Sequence, residues 1–142
     1  MDIQESTMTT TVTYSDDRKM RYLLTKKWDD DLPKATIIML MPSGSGVVQQ
    51  DVTTGCIINC ISQVGFGRVD IVNLFSRVDA EIGTDMKVTE LTDEENDKII
   101  LESADTSTTV ILAWEKCDET NIKMKQRAGQ RNGGRYEAVC NG

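Results

Sequence analysis

The stretch ATIIMLMPSGSG at residues 35–46 decides the reading of this chain. Its first half is a saturated apolar run with β-branched Ile37 and Ile38, the pattern of a strand buried on both faces, as central strands of parallel sheets are. Pro42 stops the run, and a loop of small residues, Ser43-Gly44-Ser45-Gly46, follows it. In open α/β sheets, ligands sit outside the carboxyl ends of the strands, so this loop marks the end of the sheet where a site is expected.

Downstream, Asp51 or Thr53 is placed to cap a helix running to Val64, with Ile57, Ile61 and Val64 at helical spacing and Gly65 as a left-handed stop. RVDIVNLF at residues 68–75 is a second buried strand, and the interval between the two strands suits a βαβ crossover. Residues 76–91 are weakly periodic, include Gly83, and read as a long connection of irregular or short helical structure. Thr92-Asp93-Glu94-Glu95 has the form of a capping box and opens a helix to about Ala104. TTVILAW at residues 108–114 is a third apolar strand, a short basic helix is expected over residues 121–128, and a last strand over 136–140.

Upstream, TVTYSDDRKMRYLLTKKW at residues 11–28 reads as two strands around the turn Ser15-Asp16-Asp17-Arg18. The expected architecture is one α/β domain over residues 10–142, with a mostly parallel central sheet, helices flanking it in a three-layer sandwich, and an N-terminal β-hairpin. Residues 1–9 read as a flexible lead-in and 118–142 as a basic C-terminal segment.

Composition narrows the function classes. The 142 residues fit one domain, and 39% hydrophobic with 27% charged residues describes an ordinary globular chain without repeats. A net charge of −7 argues against an extended nucleic-acid footprint but not against a small nucleotide. Residues 79–105 hold ten acids against two lysines, whereas 115–142 hold six bases against four acids. There is no histidine, which removes Ser-His and Cys-His nucleophile pairs and imidazole zinc sites. The four cysteines lack CxxC spacing, and no signal or membrane-spanning pattern is present. These features fit reduced thiols in a cytoplasm, with no metal and no cofactor expected.

Several fragments carry a family resemblance: ArgTyrLeuLeuThr at 21–25, IleMetLeuMetProSer at 38–43, ValGlyPheGly at 64–67, IleValAsnLeuPheSerArg at 71–77, GluAsnAsp at 95–97 and LeuAlaTrp at 112–114. Their order and spacing resemble the bacterial and phage family known as domain of unknown function 1643, over residues 22–114. The chain departs from that pattern at Met41-Pro42-Ser43, where the family has Asn-Pro-Ser, and at Asp51-Val52-Thr53, where it has Asp-Pro-Thr. Glu115 stands where the family has glycine, and a His-containing segment lacks a counterpart near residues 131–136. The layout is also similar to the uracil-DNA-glycosylase-like superfamily, an analogy of fold that does not fix function.

The strand ends supply the candidate site. Ser43, Gly44, Ser45 and Gly46 offer backbone N–H groups and hydroxyls to a phosphate or carbonyl, or form only a flexible connection. Asn73 interrupts an apolar strand and either ties strands together or reads a ligand edge. Arg77 is placed to pair with an anionic ligand or with a nearby acid. Phe75 and Trp114 are able to stack on a base or to fill the core. Asp51 either caps the helix or activates water. Cys56 and Cys60 share a helix face and read as small core residues.

These residues point to a nucleotide or nucleobase-like ligand bound at the strand ends, with sequestration as one use of that binding. One alternative is an N-glycosidic hydrolase using Asp51. Another is an acidic interaction protein or nucleic-acid mimic with a host protein partner. No membrane association is expected, and self-association stays open.

Overall fold

The computed structural model describes residues 1–80 and 85–113 and the backbone of 137–138. The chain runs β1 (Thr9–Tyr14), β2 (Arg21–Lys27), β3 (Lys34–Met39), α1 (Val52–Gln63), β4 (Arg68–Asn73), α2 (Val88–Leu91), α3 (Glu94–Asp105), β5 (Thr109–Ala113) and β6 (Glu137–Ala138). The strands form one six-stranded sheet in the order β1-β2-β4-β3-β5-β6. The expected basic helix at 121–128, Trp114, and most of the basic segment at 118–142 lie outside the described residues.

The sheet is mixed, which corrects the mostly parallel sheet expected from the sequence. β3 pairs in parallel with β4 and β5, and β5 with β6, but β2 pairs antiparallel with both β1 and β4. The β1–β2 hairpin is present as read, with Arg18 at positive φ in its turn. It does not stand apart from the crossover strands: β2 is inserted directly beside β4. Because β2 runs the opposite way, its first residues lie at the same end of the sheet where β3 and β4 finish.

Side-chain alternation divides the sheet into two faces. Leu24, Ile37, Val69 and Ile71 point to one face and pack against Ile58 and Ile61 of α1. Ile38 and Val72 point to the other and pack against Ile100 of α3. Helices therefore cover both sides of the sheet. In α1 the buried stripe is Thr54, Ile58 and Ile61, so Cys56 and Cys60 fall on the opposite side and are exposed rather than in the core. Val64, expected on the apolar face, caps the helix and is exposed, and Gly65 takes the left-handed conformation at φ 96°.

The buried stripe of α3 is Asn96, Ile100 and Ser103, with a polar residue at each end pinned to a strand. The helix is capped by Asp93, whose carboxylate accepts from the Asn96 N–H, so the cap lies one residue later than the capping box implies. At the far end, Ser103 donates to Asp70 of β4 at 2.8 Å. Asp70 also accepts from Thr25 and Lys34, and pairs with Arg68. Burial would raise the Asp70 carboxyl, but donation from Lys34, Ser103 and Thr25 outweighs it and holds the group below its ordinary value.

The Val-Gly-Phe-Gly segment closes the other end of the α1 crossover. A Cβ at Gly67 would meet the Asp29 carbonyl oxygen at 2.1 Å, so only glycine permits this approach. Trp28 and Asp29 donate their backbone N–H groups to the Gly67 carbonyl, and the Trp28 indole donates to the carbonyl of Phe66.

Candidate ligand-binding site

The end of the sheet where β3 and β4 finish is built around a buried arginine. β1 and β2 pair regularly to Thr13↔Leu23, and then Tyr14 pairs with Arg21, leaving Tyr22 as an extra residue. This β-bulge interrupts alternation and re-aims the side chains beyond it. Without it, Arg21 would share a face with Leu23, on the α3 side. With it, Tyr22 turns to the α3 side, where its hydroxyl donates to Asp93 at 2.7 Å. Arg21 turns to the α1 side, where Nη1 donates to the carbonyls of Ser43 at 3.0 Å and Ser45 at 2.8 Å. Burial, followed by its hydrogen bond to Asp93, pushes the Tyr22 hydroxyl above the usual phenol range.

Arg21 is 1% exposed, and its Nε and Nη2 have no hydrogen-bond partner among the described residues. Burial pushes the guanidinium below its ordinary value. Asn73, at the end of β4, is fully buried, with Nδ2 and Oδ1 both unpartnered among the described residues. By alternation it lies on the same face as Val69 and Ile71, the α1 side. Beyond Leu24↔Ile71 the register shifts, and the Arg21 N–H donates to the Ser76 carbonyl, three residues past Asn73, so that Arg21 stays against the chain leaving β4. A buried amide and a buried guanidinium with free polar edges thus share one end and one face of the sheet.

The small-residue loop roofs this region, but it does not form the open cradle read from the sequence. The Gly44 N–H donates to Asp51, the Ser45 N–H points to the Ser43 hydroxyl, and the Gly46 N–H donates to the Gln49 carbonyl. The Ser45 hydroxyl donates to Asp51, lies 2.9 Å from the Thr54 hydroxyl, and accepts from the Asp51 N–H. Asp51 is the N-cap of α1 and accepts from the Thr54 N–H at 2.9 Å. Its carboxylate occupies the helix end where an incoming anion would otherwise sit. Burial would raise that carboxyl, but donors from Thr54, Ser45 and Ser43 hold it below its ordinary value.

The other candidates separate. Phe75 is fully buried against Val88 and Leu91, which corrects its reading as a stacking residue: the ring has no free face. Arg77 pairs with Asp79 and lines an open groove of about 620 Å³ on the α3 side, with Tyr14, Asp17, Tyr22, Asp93 and Glu95. It is not brought to Asn73. Asn96 backs the end of β4 from the α3 side, donating through Nδ2 to the Asn73 carbonyl at 2.9 Å and to the Thr92 hydroxyl at 3.0 Å. Among the described residues, no group of three or more His, Cys, Asp or Glu is placed to hold a metal ion, and no helix is long and apolar enough to cross a membrane.

Arg21 escaped the sequence reading because a strand residue beside a turn looks solvent-facing. The consecutive Tyr22-Leu23-Leu24 run, which breaks alternation, was the available signal. No curated protein and no solved structure matches this chain. Residues 21–135 match the family described as a protein of unknown function, DUF1643, and with most of its length inside that match the chain belongs to this family.

Proposed function

We propose that the protein binds a nucleotide or nucleobase-like ligand at the ends of β3 and β4. The observation that carries this reading is the Asn73 amide, which is fully buried with donor and acceptor both unsatisfied. An unpaired buried amide costs about 1–3 kcal/mol, and a planar ligand edge with an adjacent acceptor and donor relieves that cost. The strand-end position supports the same reading, since ligands of open α/β sheets gather there. Asp51 is engaged through both carboxylate oxygens in capping α1 and bracing the loop, which favours binding over hydrolysis.

The test is a thermal-shift screen against bases, nucleosides and nucleotides, with chromatography of each stabilising compound after incubation. A stabiliser recovered intact, and without effect on Asn73→Leu, is the expected result. Recovery as base plus sugar would replace binding by hydrolysis, and the absence of any saturable stabiliser would overturn the reading.

A further inference from the structure

We propose that the free edge of Arg21 is an oxyanion subsite, so that the ligand carries a phosphate monoester rather than being a neutral base or nucleoside. The inference deepens the reading above and takes from it only the place of the base, at Asn73. Its own support is the guanidinium, which is 1% exposed and satisfied through Nη1 alone. Nε and Nη2 lie along one side of the guanidinium plane and present two parallel N–H donors, the fork that matches two oxygens of a phosphate or carboxylate.

No acid among the described residues is hydrogen-bonded to this cation. Among the described residues Arg21 makes no ion pair, and Asp51, the nearby carboxylate, is turned to Gly44, Ser45 and Thr54. A buried cation with no directly bonded counter-ion is costly, and an anionic ligand on its free edge would relieve that cost. The geometry is also fixed in advance. Anchoring Nη1 to two loop carbonyls sets the plane of the guanidinium, and the bulge at Tyr22 sets the face it occupies. Removing the extra residue would send the same side chain to the α3 side, away from Asn73.

The experiment is titration calorimetry of the full chain with the common ribonucleosides, their 5′-monophosphates, inorganic phosphate and acetate. It is repeated on Arg21→Lys and Arg21→Gln, with circular dichroism melts establishing that each variant is folded. The expected result is a monophosphate that binds about 10- to 100-fold more tightly than its nucleoside, the range of one charge-assisted contact. Arg21→Lys keeps the charge but not the fork and Arg21→Gln removes both, and each is expected to narrow the gap between monophosphate and nucleoside measured on the same variant.

Equal affinity for nucleoside and monophosphate in the native chain overturns the oxyanion subsite and leaves the base reading standing. Phosphate binding as tightly as every nucleotide, still sensitive to Arg21, keeps the subsite and removes the base reading. Acetate binding as tightly as phosphate reassigns the fork to a carboxylate ligand and overturns the phosphate assignment. No saturable binding by any of these compounds overturns both.

Discussion

Replacing Asn73 by leucine is expected to stabilise the ligand-free protein. Leucine has nearly the shape of asparagine and no polar atoms. The native side chain is fully buried with neither Nδ2 nor Oδ1 hydrogen-bonded. Each unsatisfied polar group costs about 1–3 kcal/mol, and a buried leucine adds apolar contact on the face already lined by Ile71 and Ile37. Allowing for imperfect packing beside Arg21, the net gain is about 2 kcal/mol. For a chain of this length 1 kcal/mol corresponds to roughly 3 °C, so the melting temperature should rise by about 6 °C. Urea denaturation followed by circular dichroism gives the free energy, and a scanning fluorimetry melt gives the temperature. If the amide were instead a structural tie, the same substitution would cost stability. A loss above about 1 kcal/mol would refute the reasoning and remove the basis for a ligand at this position. The sign of the change separates a residue kept for function at the expense of stability from one kept for the fold.

Other outcomes follow from the frame. Asp70→Asn should cost about 3–5 kcal/mol in urea denaturation, because Lys34 is left partly buried without its counter-charge. Since the folded Asp70 carboxyl lies below its ordinary value of 3.8, its contribution is present above that pH and is lost as pH falls through the folded value. An acid titration of Asp70→Asn should therefore fall less steeply below pH 3.8 than that of the native chain. Gly67→Ala should lose about 2–3 kcal/mol, as its Cβ would press on the Asp29 carbonyl oxygen at 2.1 Å and on Leu32 at 2.8 Å. Native-state alkylation followed by mass spectrometry should modify Cys56 and Cys60 without denaturant; protection of both would contradict their exposure.

Much of the scaffold was legible in residue pattern alone. The run ending at Met39, the crossover to β4 and the strand at 109–113 are marked by continuous apolar residues, which short-range burial on both faces demands. The turn at Ser15–Arg18 and the stop at Gly65 are marked by backbone preference. The place of β2 was not legible, because pairing with β4 is a contact between residues some forty-five positions apart that leaves no periodic trace. Asn73 stood out as an amide in an apolar strand. Arg21 did not, since its burial depends on a bulge and on loop carbonyls far along the chain. The loop misled in a particular way. Its glycines and serines suggest open donors, whereas Asp51, seven residues beyond Gly44, takes the Gly44 N–H and the Ser45 hydroxyl, and the Gln49 carbonyl takes the Gly46 N–H.

The single extra residue in β2 also bears on how this family can vary. Insertions and deletions in a hairpin are ordinarily absorbed by its turn, and the residues 15–20 between β1 and β2 have room for such changes. A one-residue deletion at Tyr22 is different in kind. It would leave Leu23 and Leu24 on their own faces, yet remove the buried Tyr22 ring with its bond to Asp93 and exchange the sides on which the preceding positions emerge. Such a deletion would take the arginine from the strand ends in one step. On the proposed reading, length at this position, as much as the presence of an arginine, sets whether a guanidinium reaches the strand ends.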